Sequence, residues 1–306
     1  MTTSMLDILR SRAERIRGEG VRLLGDFSGM RPINTPSDPE PIIGLPGSHW
    51  WNELPPEGKQ IQARLLPEVD RLAELTRALA RNLPGSSSQK LHAALDTIRE
   101  AVEQDRATFW QTRDEAVDGF SKLIDQVMAM LTEYYGTSSS IALVIPDTNA
   151  LLAEPDIEQW QFEDKDHFTI ILTPTVLSEL DEHKVNHRNP DVREKASKLI
   201  RKIKEYRRRG SLHQGVPIVT DRVSLQAIAH EPDMSESISW FDATNADDRF
   251  LATALEVIRA NPGATVFVVT SDINMQNKAE VAGIPFCEVP AQRAERCEGD
   301  AGPGAA

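Results

Sequence analysis

The stretch Ile141-Ala-Leu-Val-Ile-Pro-Asp-Thr-Asn149 decides the fold of the second half of this chain. Its five apolar residues are followed at once by a proline, an aspartate and two further polar residues. A short apolar run bounded by turn-forming residues is typical of a buried strand. The stretch therefore predicts the first strand of a sheet, with Asp147 at its carboxyl end.

Short apolar runs and helical patterns alternate after this first strand. The predicted strands are 141–145, 168–172, 217–220, 266–270 and 285–289. The helices predicted between them are 174–182, 191–208, 247–260 and 275–282. Alternation of this kind favours an α/β fold, in which a mostly parallel sheet carries helices on both faces.

The pattern before residue 136 is helical instead. Apolar residues recur every three or four positions over 61–79 and again over 91–131, as on amphipathic helices. The second stripe predicts one helix of roughly 45 residues, about 65 Å long at ~1.5 Å per residue. The Pro- and Gly-rich span 27–56, which contains Trp50 and Trp51, is predicted to be irregular.

These patterns predict three parts of the chain. Residues 1–135 form an all-α domain of unknown role, with the irregular span 27–56 and a long helical hairpin over 57–135. Residues 140–291 form the α/β domain. Residues 292–306 are charged and then rich in Gly and Ala, and are predicted to be a disordered tail.

Composition limits the class of protein. A hydrophobic fraction of 40% and a charged fraction of 26% exclude a wholly disordered or collagen-like chain. The longest apolar runs fall far short of the ~20 residues of a membrane helix, so no membrane partner is predicted. Two cysteines, Cys287 and Cys297, and no signal-like N-terminus predict a cytoplasmic protein. The net charge of −13 argues against a protein that coats nucleic acid.

Acidic residues recur where the predicted strands end. Asp147 and Asp272 each follow a strand, Asp247 and Asp248 open a helix, and Glu179 lies in the helix after the second strand. Each has an ordinary alternative: a turn residue, a favourable first-turn acid, or an exposed helix position. Ligands of parallel sheets gather at the carboxyl edge. Carboxylates that meet there repel one another, which favours a Mg²⁺ or Mn²⁺ site.

Four motifs in this order carry a family resemblance. They are Ile-Pro-Asp-Thr-Asn (145–149), Leu-Ser-Glu-Leu-Asp-Glu (177–182), Ala-Asp-Asp-Arg-Phe-Leu-Ala-Thr-Ala (246–254) and Val-Thr-Ser-Asp-Ile-Asn-Met (269–275). On these motifs, residues from about 140 to 290 resemble a PIN domain, a family of metal-dependent ribonucleases, and most of all the PIN domains attached to PhoH-type ATPases. The N-terminal half resembles no family, and no GxxxxGK[ST] loop is present.

The resemblance implies a set of site residues. The catalytic and metal-binding acids would be Asp147, Glu179, Asp247 and Asp272. Asp248 is the uncertain member of the metal set: the alignment of Ala252-Thr253-Ala254 favours Asp247, which leaves Asp248 as a supporting acid or a solvent-facing one. Asp247 shares a helical face with Phe250 and Ala254, which predicts that its side of the helix is the packed one. The family's motif also implies that Thr148 and Asn149 orient the first aspartate, with Asn274 as a further polar neighbour.

The implied reaction is metal-assisted attack of water on a phosphodiester, with Mg²⁺ or Mn²⁺ as cofactor and single-stranded RNA as the expected substrate. The segment 184–209 has eleven basic and three acidic residues, a local charge of +8. A charge run is usually a solvated helix face, but beside a nuclease site it favours phosphate binding. The predicted nucleic-acid contacts are Lys184, Arg188, Arg201, Lys204, Arg207, Arg208 and Arg209.

Other interpretations remain open on the sequence alone. A haloacid-dehalogenase-like phosphatase needs a second acid two positions after the first, where this chain has Asn149. A catalytically silent module for RNA or protein binding is the main alternative to a nuclease. The helical half could serve oligomerisation, regulation or recruitment of a protein partner. Glu182 and His183 are interpreted as ordinary surface residues.

Overall fold

A computed structural model describes residues 4–33, 48–136, 142–163 and 165–290 of the chain. It is a mixed α/β structure in which a helical region precedes a six-stranded sheet. The tail predicted to be disordered and residues 34–47 of the predicted irregular span lie outside the described residues. Among the helices of the described ranges, none is long and apolar enough to cross a membrane.

The helical region is built from four long helices. They are α1 (Met5–Arg22), α2 (Pro56–Ala80), α3 (Gly85–Glu103) and α4 (Arg113–Tyr135). α1 packs against α2 and α4, and α3 packs against the same two helices, so the four apolar stripes face a shared interior. A π-helical turn, Leu23–Phe27, continues α1. Each amphipathic helix thereby buries its apolar face against the other helices.

The single helix predicted for 91–131 is wrong, because two helices occupy this stretch. α3 ends where Gln104 adopts a left-handed conformation with φ 57°. Thr112 caps the N-terminus of α4: its hydroxyl accepts a hydrogen bond from the Glu115 amide at 3.2 Å, a common N-cap arrangement. Phe109, which belongs to the predicted stripe, is 65% exposed in the connection. The polar residues near Asp105 therefore lie in the connection between two helices and do not interrupt a single helix.

The predicted irregular span contains a small antiparallel sheet. Its strands are β1 (Met30–Pro32) and β2 (His49–Trp51). The connection between α3 and α4 joins this sheet, because the His49 amide donates to the Thr108 carbonyl at 2.7 Å. Trp51 packs edge-to-face against Trp110, with ring centroids 6.2 Å apart. The tryptophan therefore serves packing inside the helical region.

The large sheet is mostly parallel, as the sequence predicts. Its strands are β3 (Ala142–Pro146), β4 (Phe168–Leu172), β5 (Val216–Val219), β6 (Val223–Ala227), β7 (Thr265–Val269) and β8 (Phe286–Cys287), in the order β5-β6-β4-β3-β7-β8. All neighbours are parallel except β5 and β6. Every residue of β3 is buried. Since alternate side chains point to opposite faces, both faces of the sheet are covered at its centre.

β6 was not predicted from the sequence. It alternates apolar and polar residues over only five positions, so its pattern is weaker than those of β3 and β4. β5 is an antiparallel edge strand that contains Pro217. A proline lacks the amide hydrogen that a central strand needs, so it is tolerated at an edge.

Five helices follow strands or loops of the sheet. They are α5 (Thr148–Ala153), α6 (Pro174–Asn186), α7 (Pro190–Arg209), α8 (Ala246–Ala260) and α9 (Ile273–Ala282). α5 is short and was not predicted. Asp147 and Asp272 cap the N-termini of α5 and α9. Both aspartates thus have a local structural role as helix caps, which differs from the turn residue considered as their alternative, and both occupy the carboxyl edge of the sheet.

The helical region and the sheet share one continuous hydrophobic core. Arg259 of α8 crosses between them: its guanidinium donates to the carbonyl oxygen of Glu236 at 3.1 Å and reaches the carbonyl of Ala78 at the end of α2. Its side chain is only 6% exposed, and the carboxylates of Glu236 and Glu256 lie 3.8 and 3.7 Å away. The division into two domains near residue 136 stays a prediction.

We expect Arg259→Leu to lower the free energy of unfolding by about 2–3 kcal/mol, because the carbonyls and carboxylates around it lose their buried donor. Chemical denaturation followed by circular dichroism measures the change. Arg106→Leu is the matched control, since Arg106 is exposed and pairs with Glu100 at the surface, where an ion pair contributes about 1 kcal/mol or less. Equal effects of the two substitutions would show that Arg259 does not join the two parts.

Candidate active site

A cleft of about 320 Å³ opens at the carboxyl edge of the sheet. Asp147 follows the central strand β3, Asp272 follows its neighbour β7, Glu179 lies on α6 after β4, and Asp247 lies in the first turn of α8. All four predicted acids line this cleft, together with Thr148 and Asn149. Four separate elements therefore bring carboxylates to one place, as expected from the rule that ligand sites of parallel sheets lie at this edge.

Asp147 is the most buried of the four acids, at 6% exposure. Its Oδ1 accepts a hydrogen bond from the Ala150 amide at 2.5 Å, and the Thr270 hydroxyl also donates to it. Burial raises the pKa of Asp147; the two hydrogen bonds oppose this, and the nearby carboxylates of Asp272 and Glu179 raise it further. A bound cation would relieve both the burial and the repulsion.

Glu179 is held by Thr148, whose hydroxyl donates to its Oε2 at 2.5 Å. This differs from the expectation that Thr148 orients Asp147. The difference arises because Thr148 is the first residue of α5, so its side chain points toward α6 and not back along the strand end. Asn149 is exposed and lines the cleft.

Thr270 joins Asp147 to Asp272. The Thr270 hydroxyl donates to the Asp147 carboxylate and accepts from the Asp272 amide at 3.0 Å. The Asp272 Oδ1 in turn accepts from the Asn274 amide at 2.7 Å. Asn274 thus contributes its main chain, while its exposed side chain does not line the cleft. Thr270 is fully buried, and the sequence analysis assigned it no role.

Asp247 and Asp248 have different surroundings. The Asp247 side chain is 44% exposed and lines the cleft, whereas that of Asp248 is 7% exposed and does not. Asp248 Oδ1 accepts from Lys278 Nζ at 2.7 Å, and its Oδ2 accepts from the Asp242 amide at 3.0 Å. The solvent-facing alternative for Asp248 is therefore wrong, and so is the prediction that Asp247 occupies the packed side of the helix.

Lys278 of α9 contacts both of these acids. Its Nζ lies 3.3 Å from Asp247 Oδ2 and 2.7 Å from Asp248 Oδ1. Burial alone would lower the pKa of Lys278, but the hydrogen bonds to Asp248 and Asp247 outweigh it and raise this pKa. The lysine is therefore charged at neutral pH.

The donor set of the cleft fits a hard divalent cation. One oxygen of each of the four acids accepts a hydrogen bond or faces an ammonium group of the protein. An ionised carboxylate has about four acceptor positions, so these bonds fix the side chains and leave capacity for a metal. Oxygen donors suit Mg²⁺ or Mn²⁺. In the described ranges, however, no three His, Cys, Asp or Glu side chains are grouped closely enough to form a ready metal site.

The cleft also contains residues that the sequence analysis set aside. Glu182 and His183 line it one turn after Glu179 on α6. Their spacing of three and four residues from Glu179 was the available signal, since such residues share a helix face. Thr175, Phe250 and Met275 complete this part of the wall.

The predicted nucleic-acid contacts lie on α6, α7 and their connection. Lys184 is half-buried, and its Nζ lies 3.7 Å from Asp181 Oδ1. Arg188 is exposed in the connection between the two helices. The predicted contacts on α7 are all exposed; they are Arg201, Lys204, Arg207, Arg208 and Arg209. Other cations of the +8 segment bind the protein itself: Lys202, for example, donates to Asp156 and Glu158.

The end of α7 lies at the same edge of the sheet as the cleft. Shortly after Arg209, the Leu212 carbonyl accepts from the Ala227 amide at the carboxyl end of β6, at 2.9 Å. β6 is two strands away from β3, a lateral distance of about 10 Å at ~4.8 Å per strand. The C-terminal end of α7 therefore lies at the same edge of the sheet as the cleft.

Together these features define an α/β domain whose mostly parallel sheet has an acidic cleft at its carboxyl edge. Residues 144–289 match the family model of the PIN domain, which confirms the resemblance to a PIN domain. The likeness to the PIN domains attached to PhoH-type ATPases stays a prediction. PIN domains are typically nucleases, commonly metal-dependent ribonucleases. The match does not include the helical region, and no curated protein matches the chain.

Proposed function

We propose that this protein is a metal-dependent nuclease that hydrolyses phosphodiester bonds within single-stranded RNA in the cytoplasm. The observation that carries the proposal is the convergence of Asp147, Glu179, Asp247 and Asp272, from four elements, on one cleft of a PIN domain. A bound Mg²⁺ or Mn²⁺ would neutralise charge on the phosphate and lower the pKa of an attacking water.

The residues of the chain have distinct tasks in this proposal. The four carboxylates hold the cations, while Thr148 and Thr270 fix the carboxylates of Glu179 and Asp147 by hydrogen bonds. The hydrophobic side chains of Phe250 and Met275 form an apolar part of the wall. An in-line displacement needs positioning of this kind more than it needs a covalent nucleophile. No histidine base is required.

Incubation of the purified chain with single-stranded RNA tests the proposal. We expect internal cuts in the presence of Mg²⁺ or Mn²⁺ and none in excess EDTA, with sequencing of the RNA ends to give the cut positions. Single-stranded DNA and duplex RNA of the same sequence test the substrate class. RNA binding without any metal-dependent cleavage would instead support the alternative of a catalytically silent binding module.

The basic surface of α7 is proposed to bind the phosphate backbone near the cleft. We expect replacement of Arg207, Arg208 and Arg209 by Gln to weaken binding of single-stranded RNA roughly tenfold at low salt. Because each phosphate contact on a single strand contributes about 0.7 to the salt slope, that slope should fall by about 2. Fluorescence anisotropy at several salt concentrations measures both quantities.

The matched control for this change is Arg10, Arg64 and Arg106 replaced by Gln. These three arginines are exposed on the helical region, so the net charge changes equally while the α7 surface stays intact. If both triple variants weaken binding by the same factor, the effect comes from overall charge and the α7 surface is not the RNA contact.

The helical region is proposed to support oligomerisation or to recruit a protein partner. Phe109, which is 65% exposed in the connection between α3 and α4, lines a cleft of about 450 Å³ together with Trp51 and Trp110, and the contact is proposed at this cleft. Light scattering of the full chain measures the oligomeric state. A monomer at all concentrations would leave the protein-partner alternative.

A further inference from the structure

Lys278, Asp247 and Asp248 form a small cluster between α8 and α9 that the proposed reaction does not yet use. Lys278 Nζ lies 2.7 Å from Asp248 Oδ1 and 3.3 Å from Asp247 Oδ2. Asp248 is further fixed by the Asp242 amide at 3.0 Å. Asp247 lines the cleft, whereas Lys278 and Asp248 do not. The ammonium group therefore contacts one acid inside the cleft and one outside it.

We propose that Lys278 is a positioning residue, a clamp that directs Asp247 into the metal cleft and holds Asp248 out of it. This inference rests on the proposed function, since it assigns Asp247 to the metal. It also explains how two adjacent aspartates have separate roles.

The clamp also fixes two helices of the site relative to each other. α9 carries Asp272 at its N-terminal cap and Lys278 on its second turn, whereas α8 carries Asp247 and Asp248. A bond from Lys278 to α8 therefore sets the position of Asp247 relative to Asp272. Partners outside the ligand shell commonly matter in this way, because they orient the ligands themselves.

A simple charge argument predicts the opposite effect of the lysine, which makes the inference testable. A cation 3.3 Å from Asp247 repels a metal ion, so removal of its charge alone should strengthen metal binding. Loss of positioning should weaken it, by about tenfold to a hundredfold for partners of metal ligands. The two explanations differ in sign.

The experiment measures Mn²⁺ affinity of the full chain by isothermal titration, without RNA. We expect Lys278→Met to bind Mn²⁺ at least about tenfold more weakly than the wild type, and Lys278→Arg to recover part of the loss because it retains charge and donors. Lys122→Met is the matched control, since this exposed lysine of α4 pairs with Asp118 at the surface. Stronger or unchanged binding by Lys278→Met would overturn the clamp.

A double variant separates positioning from folding. Lys278→Met leaves Asp248 buried without its cation, which can unfold the protein. Lys278→Met with Asp248→Asn removes both charges, so we expect it to fold and still to bind Mn²⁺ as weakly as the single variant. Asp248→Asn alone should change the affinity by about threefold or less, whereas Asp247→Asn should cost far more. A loss in Asp248→Asn as large as that in Asp247→Asn would make Asp248 a ligand and overturn the clamp.

The titration also distinguishes failure of the clamp from failure of the proposed function. Mn²⁺ binding that follows the expected pattern, without RNA cleavage by the wild type, would support the clamp and contradict the nuclease activity. RNA cleavage with unchanged Mn²⁺ affinity in Lys278→Met would support the nuclease and contradict the clamp. A wild type that binds no Mn²⁺ would contradict both.

Discussion

Asp147→Asn should abolish RNA cleavage, with a loss of at least about a thousandfold, while the fold survives. Asp147 is the acid that follows the central strand, and the carboxylates of Asp272 and Glu179 lie close enough to raise its pKa. The substitution removes the charge of one of the four acids that are proposed to hold the cation. The side chain of Asn keeps an oxygen that can accept from the Ala150 amide, so the cap of α5 is preserved. Cleavage of end-labelled RNA in Mn²⁺ measures the loss.

Asp125→Asn is the control for this substitution. Asp125 is exposed on α4 and pairs with Arg17, so the same chemical change occurs far from the cleft, and we expect full activity. Both variants must be purified free of contaminating nuclease. Cleavage by Asp147→Asn at the rate of the wild type would show that the acidic cleft is not the active site.

Stability of the Asp147→Asn variant should follow the direction of the pKa shift. Because burial raises the pKa of Asp147 in the folded protein, folding favours its protonated form. The metal-free wild type therefore loses stability relative to the variant as pH rises from the unfolded-state pKa through the raised value. Thermal unfolding in EDTA should show the variant to be the more stable one at neutral pH, with no difference at strongly acidic pH. A less stable variant at neutral pH would contradict this.

Strands and acids that depend on local pattern could be predicted from the sequence. β3, β4 and β7 are continuous apolar runs, and an aspartate directly after such a run must lie at the carboxyl edge. That argument placed Asp147 and Asp272 correctly at the edge of the sheet. β6 was not predicted, because its apolar and polar residues alternate over only five positions.

Side-chain partners from other elements could not be predicted in the same way. Asp247 and Asp248 are about 100° apart on their helix, so which one faces the cleft depends on the helix packed beside them. Lys278, on α9, decides this contact, and nothing in residues 246–254 indicates it. Thr148 likewise contacts Glu179 because of where α6 passes, which no spacing in the sequence records.

The charge of the whole chain was a poor guide for the same reason. A net charge of −13 argues against nucleic-acid binding on average. Yet part of the +8 segment bonds to Asp156 and Glu158, whereas Arg188 and the arginines at the end of α7 are exposed. Only the fold separates the cations that stabilise the protein from those that are available for a substrate.

Thr270→Val should lower the cleavage rate by about a hundredfold without unfolding the protein. The two side chains have nearly the same shape, so the substitution removes one hydroxyl that donates to Asp147 and accepts from the Asp272 amide. The Asp147 carboxylate then loses a donor, and the Asp272 amide loses its acceptor. Because the positions of the two acids relative to each other are no longer fixed, the cleavage rate should fall by a large factor. The buried hydroxyl contributes about 1–2 kcal/mol to stability, which a domain of ordinary stability tolerates.

The comparison that isolates this role is Thr253→Val. Thr253 is also fully buried, but its hydroxyl donates within α8 to the Arg249 carbonyl at 2.9 Å. It should therefore lose similar stability and keep most of the activity. Because Thr270 holds Asp147 in place, we also expect Thr270→Val to need more Mn²⁺ for half-maximal cleavage, whereas Thr253→Val should need the same amount. Equal losses of activity in the two valine variants would mean that Thr270 acts only through stability, and that the link between Asp147 and Asp272 does not contribute to the reaction.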